Sequence, residues 1–307
     1  MNSHENRGSI YAILSGFLYG FIGYFGLNAI NGNMSASNML FWRFLIASLL
    51  VFVILLPQLK HIKESYRSLF IAFLTGALYY GISTLLYFFA SLYIGSGLSM
   101  VIFFTYPVMI MLLNYFIYGQ RIPAVYYLAT VFILVGMIFL IDTGDVAFNL
   151  LGIGLGLISA LFYAFYMIST KNNQLNPTIS TFMVSLGCMT TSFFVSIFSN
   201  SFAIPGSLSV WYNLFGIAII ATIIPIVLLI HSLKYISSEK ASILSVLEPV
   251  FVVIFGVLLL GEELKSWNVI GIVLILAGAL LTLFSHKVDV DLIKRKFIRA
   301  FKLDSDI

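Results

Sequence analysis

Charge and cysteine are what this sequence has least of. Only 9% of its 307 residues are charged while 61% are hydrophobic, against about 25% and about 45–50% in ordinary soluble domains. No soluble core of this length could hide so much apolar surface, which excludes a water-soluble globular enzyme. The one cysteine, Cys188, excludes an internal disulfide and a thiolate cluster. There is no His-Glu-x-x-His, no histidine pair and no Asp cluster, so neither a metal nor another cofactor is expected. A Gly-x-x-x-x-Gly-Lys phosphate loop is also missing, so the chain carries no ATP engine of its own. The net charge of +4 does not imply a nucleic-acid partner, because six of the 16 Lys and Arg lie after His286, as on a membrane surface.

What is present is a series of apolar runs, each near the roughly 20 residues that cross a bilayer. Polar, Pro and Gly punctuation places helices at 9–30, 37–56, 68–93, 97–118, 122–141, 150–170, 178–199, 211–233, 240–260 and 266–286. The first run is long and has no small-residue cleavage motif, so it reads as a retained helix rather than a removed signal. Basic residues are asymmetric between alternate ends. Arg7, Lys60, Lys63, Arg67, Arg121, Lys171, Lys234, Lys240 and the six of the tail share one side, and Lys265 stands on the other. The positive-inside rule therefore puts both termini in the cytoplasm of a multi-pass protein of the cytoplasmic (inner) membrane. Asn33-Met34-Ser35 has the form of a glycosylation acceptor but sits too close to the bilayer to serve as one.

The runs also repeat. A shift of 142 positions lays Tyr93, Ile94, Ser96, Pro107, Val108, Gly119 and Gly136 on Tyr235, Ile236, Ser238, Pro249, Val250, Gly261 and Gly278 without a gap. A shift of 144 lays Ser15, Tyr19 and Phe21 on Ser159, Tyr163 and Phe165. The expected fold is an all-α membrane protein of ten transmembrane helices in two five-helix repeats, residues 9–141 and 150–286. Because five is odd, the second repeat enters the membrane from the opposite side. Inverted repeats of this kind hold substrate near the midplane between the halves and alternate its access by rocking.

With Trp42-Arg43-Phe44 opening the second helix, Glu248-Pro249 in the ninth, Gly261-Glu262 closing it, and Gly271 and Gly278 in the tenth, the chain resembles the drug/metabolite transporter superfamily, in particular its EamA-like branch, over Ser9 to Phe284. The first half reads Tyr106-Pro107 and Gly119-Gln120, where many relatives carry Glu after the glycine. The resemblance implies a carrier of amino acids, their derivatives or other small metabolites, and does not choose among them.

Two charged residues stand inside the apolar spans, Arg43 and Glu248. A charge in lipid costs several kcal/mol unless it faces a cavity or a partner. A zwitterion between them could give its carboxylate to Arg43 and its ammonium to Glu248; the alternatives are a structural ion pair or a snorkelling arginine. Helical stripes add hydroxyls. Gly76, Tyr80, Thr84, Tyr87 and Ser91 share one face, as do Gly152, Gly156, Ser159, Tyr163, Tyr166 and Thr170. The glycines read as packing surface, and Tyr19, Tyr80, Tyr87 and Tyr163 are divided between packing and cavity lining. Tyr106, the repeat mate of Glu248, and Ser245, one turn before it, complete the expected substrate-binding set. Pro107, Pro225 and Pro249 lie within helices and each frees a carbonyl; Pro107 and Pro249 are the expected hinge pair. Val257 is expected to face lipid, His231 the interface, and Glu262 and Glu263 a turn cap. Lys287 to Ile307 reads as a basic amphipathic helix on the cytoplasmic leaflet, or else as a disordered basic tail.

The partners expected are thus a small-molecule substrate and the lipid bilayer, with a homodimer left open. The function that fits is a secondary transporter with proton coupling or exchange. A nucleotide-type cargo, a non-transporting receptor and an assembly subunit are the alternatives; a membrane-embedded enzyme would need a second acid, a nucleophile with its base or metal ligands near Glu248, and the sequence offers none.

Overall fold

Lipid cannot hydrogen-bond a backbone, so a chain of this composition must satisfy its N–H and C=O groups within helices. The computed structural model describes residues 3–31, 34–57, 63–140, 149–261 and 263–285, and among them every regular element is helical. Eight helices are long and apolar enough to cross a membrane, and two shorter apolar ones, Tyr106–Tyr118 and Ala124–Ile138, accompany them. Ten spans result. α1 is Ser3–Tyr19 continued past Gly20 by Phe21–Asn31, and α2 is Ala36–Leu55. α3 (66–94) and α4 (96–118) meet at Gly95, whose φ of 79° turns the chain where a side chain would be strained. α5 is Ala124–Ile138, α6 Leu150–Asn173, α7 Pro177–Phe198, α8 Leu208–Tyr235, α9 Ser238–Leu260 and α10 Ser266–Leu283.

The ends are fixed by local chemistry. Ser35, Ser65, Asn149, Asn176, Ser207 and Ser237 each accept a backbone N–H of the first turn that follows. Gly119 and Gly261, mates under the 142 shift, close α4 and α9 with φ of 61° and 72°. Outward-facing side chains are large and apolar; Leu92, Phe116 and Phe198 are 79%, 76% and 81% exposed, as suits a lipid neighbour.

Packing repeats with the sequence. A Cβ on Gly8 would stand 2.7 Å from Tyr235 Cβ, and one on its mate Gly152 would stand 2.8 Å from Tyr93 Cβ. A Cβ on Gly136 in α5 would stand 2.7 Å from Gly271 O and close to Ile275, and one on its mate Gly278 in α10 would stand 2.6 Å from Ala129 O and close to Ile133. Each contact is the other with mates exchanged. The halves are therefore related by a pseudo-two-fold axis that passes between α5 and α10, whose glycines let the backbones approach.

Both third helices contain a π-helical segment, Thr75–Gly81 in α3 and Ile219–Ile223 in α8. Both fourth helices are broken in the middle, at residues 104–105 in α4 and 246–247 in α9. The expected hinge residues Pro107 and Pro249 fall just after these breaks, in the first turn of the half-helices that begin at Tyr106 and Glu248. Proline is tolerated there because a first-turn N–H has no helical partner. The basic tail, 287–307, and Glu262 lie outside the described residues.

Candidate functional site

The two breaks place Tyr106 and Glu248 at mid-membrane, each at the start of a half-helix whose N-terminal dipole favours an anion or an acceptor. Beside Glu248 lies a cavity of about 740 Å³. It runs from mid-depth to the membrane face that carries Ser96, Glu263, Lys265 and Trp267, and opens there. Six of the eight residues of the expected substrate-binding set stand on its wall: Tyr19, Arg43, Tyr80, Tyr87, Tyr163 and Glu248. They come from α1, α2, α3, α6 and α9.

Tyr80, Tyr87 and Tyr163 belong to one aromatic cluster. Tyr80 packs on Tyr163 at 5.7 Å between ring centres and stacks on Tyr166 at 4.7 Å; Phe103 touches Tyr87 at 5.4 Å and Tyr163 at 5.2 Å. Among the described residues the Glu248 carboxylate has neither hydrogen-bond nor ion-pair partner, and it faces the cavity.

Arg43 is held more tightly. Pro225 has no N–H to offer the carbonyl four residues earlier, that of Ala221, and Arg43 Nη2 donates to it at 2.9 Å. Arg43 Nε donates to Thr222 Oγ1 at 2.6 Å, and Thr222 passes its own proton to Ile217 O at 2.8 Å. The guanidinium also lies 5.1 Å from the Phe44 ring centre. Two of its nitrogens are thus committed to the π segment of α8, and no ion pair joins it to Glu248. Its remaining nitrogen, Nη1, has no partner among the described residues.

Two residues of the expected set stand apart from the cavity wall. Tyr106 is 2% exposed, lies 4.6 Å from Tyr163 and donates to Ser242 O at 3.2 Å. Ser245 donates to Ala241 O at 2.9 Å within its own helix. Val257, expected toward lipid, instead lines the cavity, as do Ser96, Gly97 and Leu98; it lies in the π turn at Gly256–Leu260, which changes the facing of that end of α9. Glu263, expected only to cap a turn, stands at the mouth. Met39, Phe88, Met100 and Phe103 line the wall without any sequence signal that separates them from other apolar residues.

Toward the other face, where Ser3 lies, the bundle is shut. Lys240 Nζ pairs with Glu5 at 2.6 Å. Asn114 donates to Ser238 Oγ at 3.0 Å and to the Glu239 carboxylate. Lys171 donates to Ile236 O at 2.9 Å and to Leu233 O. With Tyr106 to Ser242, these bonds tie α4 to the first half of α9, α9 to α1, and α6 to the link between α8 and α9.

Comparison with known proteins agrees with this architecture. The model of the EamA-like transporter family matches twice, at residues 6–142 and 150–284. An "Uncharacterized transporter" of Archaeoglobus fulgidus is 27% identical over 167 residues, 53% of this chain and 58% of that protein. "Uncharacterized transporter YxxF" of Bacillus subtilis is 27% identical over 183 residues, 58% of each chain. The chain thus aligns with rather more than half the length of these curated relatives. A crystal structure, 15% identical, superposes with a TM-score of 0.79 over 92% of this chain and 98% of that one, which bears on the fold alone.

Proposed function

We propose that this chain, which belongs to the EamA-like transporter family, is a secondary transporter that moves a small polar metabolite, an amino acid or a derivative of one, across the cytoplasmic membrane. One observation carries the reading. Glu248, an acid without a partner among the described residues, faces a cavity that opens to one side of the membrane while hydrogen bonds and an ion pair shut the other. A primary ammonium is the ligand such an acid selects, and the faces of Tyr19, Tyr80 and Tyr163 add cation–π attraction. Arg43 keeps one nitrogen, Nη1, for a substrate carboxylate while the other two hold α8. Its contribution to binding is therefore smaller than that of Glu248.

The asymmetry of basic residues makes the Ser3 face cytoplasmic, so the open cavity faces outward. Access alternates as the two repeats rock about the axis between α5 and α10. Energy comes from a gradient. A carboxylate taken from water loses solvation of its charged form, and either a proton or a substrate cation compensates that loss, so the two compete for Glu248 and exchange through it.

Proteoliposome uptake tests the reading. Purified protein, first screened by thermal shift against amino acids and related amines, takes up the stabilising ligand against its gradient when the lumen is acidified, as protons leave in exchange. Glu248→Gln inserts and folds but no longer accumulates substrate. Wild-type coupling by well-folded mutant protein removes Glu248 from the mechanism, and a wild type that binds but never moves its ligand is a receptor.

A further inference from the structure

The shut face and the open face are built from repeat mates, so each bond that shuts one names its counterpart at the other. Under the 142 shift, Tyr106 maps to Glu248 and Ser242 to Met100; Asn114 maps to Gly256, Glu239 to Gly97 and Ser238 to Ser96. Glu248, Ser96, Gly97 and Met100 all line the cavity. The cavity therefore occupies the place where the mirror image of the α4–α9 contact would form. When the halves exchange conformations, Gly97 meets Gly256, two residues with no side chain to keep the backbones apart, and the open face closes over them.

The central bond of that contact does not survive the exchange unchanged. On the shut face Tyr106 Oη donates to Ser242 O at 3.2 Å. In the mirror contact the carbonyl is that of Met100, still an acceptor, and the residue facing it is Glu248. A phenol always has a hydrogen to donate at neutral pH, but an ionised carboxylate has none, and two oxygen acceptors brought together out of water repel. We infer that Glu248 closes the open face only when it carries a hydrogen to donate to Met100 O, either its own proton or the N–H of a bound ammonium. The proton enters from water in the cavity, forms the O–H bond of the neutral acid, and returns to water once the opposite face opens; no other bond changes. An empty, ionised Glu248 therefore holds the protein open. This forbids the return of the unloaded carrier, which is what couples one gradient to another.

The inference rests on the transport reading for its purpose, but its geometry is tested without transport. Around Glu248 stand Tyr19 on α1, Arg43 on α2, Tyr80 and Tyr87 on α3, Tyr106 on α4 and Tyr163 on α6, with Glu263 and Lys265 at the mouth. Glu248 and Glu263 are the carboxylates of this set, and they are the acids to separate. In a Cys188→Ser background, cysteines replace Leu98 of α4 and Val257 of α9, both on the cavity wall, and a short bifunctional thiol reagent reports closure of the full-length protein in proteoliposomes.

Without ligand, cross-linking is expected to rise several-fold from about pH 8 to about pH 5. Glu263→Gln keeps that rise. Glu248→Gln, whose amide donates at every pH, cross-links at the acid level throughout, as does Glu248→Tyr, which installs the mate's own donor. A pH-independent wild type, or a pH response retained in folded Glu248→Gln, overturns the inference. Should Glu248→Gln fail to fold, the pH response of the Glu263→Gln protein alone decides, since loss of the response there assigns it to the mouth. A wild type that closes on acidification yet moves no substrate upholds the gate while rejecting the transport reading.

Discussion

The beginnings of α4 and α9 are mates in sequence and opposites in behaviour. At residues 238–240 the chain reads Ser-Glu-Lys; Asn114 donates to the serine and the glutamate, and Glu5 pairs with the lysine. At residues 96–98 it reads Ser-Gly-Leu, and all three line the open cavity. The backbone is repeated, but only one copy carries side chains that can reach a partner. Which face is shut thus depends on a few polar groups laid over a symmetric scaffold, and a few polar groups should suffice to change it.

The largest effect is expected at the ion pair. Lys240 is 2% exposed, and removing one partner of a buried pair costs about 3–5 kcal/mol because a charge is left uncompensated. Glu5→Ala is expected near the lower end of that range, because it strands Lys240. Lys240→Ala costs less, about 1 kcal/mol, because the Glu5 side chain is 20% exposed and stays near water. Both variants should speed thiol labelling of a cysteine at Ser238 from the Ser3 face, Glu5→Ala more. Labelling no faster than in the parent would show that this pair does not hold the face shut.

A smaller and symmetric effect is expected at the axis. Gly136→Ala and Gly278→Ala each push a methyl against a backbone carbonyl and an isoleucine of the other repeat, an overpacking worth about 1–3 kcal/mol. Because the contacts are mirror images, the two losses of thermal stability in detergent should agree within about 0.5 kcal/mol. A clear inequality would break the pseudo-two-fold at its tightest point.

The smallest effect separates the two π segments. In α3 the carbonyls of Gly76 and Ala77 are taken by Cys188 Sγ at 3.2 Å and Thr191 Oγ1 at 2.7 Å. In α8 the comparable work falls to Arg43 and Thr222. Thr191→Val removes one neutral hydrogen bond, about 1 kcal/mol, without touching the cavity wall. Thr222→Val costs more stability, because one of the two bonds it removes comes from the buried guanidinium; it also releases Arg43 Nε, and so should change substrate affinity where Thr191→Val does not. Parallel stability and binding curves for the two variants test this; an affinity change with Thr191→Val would undo the distinction.

Much of this was legible in the residues themselves. Ten spans followed from apolar length, and the repeat from Pro107 with Pro249 and Gly136 with Gly278. Tyr19, Arg43, Tyr80, Tyr87, Tyr163 and Glu248 were marked by being polar or ionisable where lipid tolerates neither, and the structure brings them to one cavity. Tyr106 and Ser245 carried the same mark but spend their hydroxyls on backbone carbonyls of α9. Pro225 announced a freed carbonyl, though not that Arg43, 178 positions away from Ala221, would take it. Val257 bore no mark at all: the facing of that end of its helix depends on a π segment for which Gly256 and four apolar residues give no pattern.

By itself the sequence determined the solvent, the number of helices and the inverted repeat, because these depend on hydrophobic length and on short loops, both local properties of the chain. The tertiary structure decided which face of each helix meets its neighbours, and therefore which hydroxyls are free, how much of Arg43 remains for a ligand and which side of the membrane is open. Those outcomes turn on rotations of about 100° per residue around each helix axis and on partners more than a hundred positions apart, and no local pattern records either.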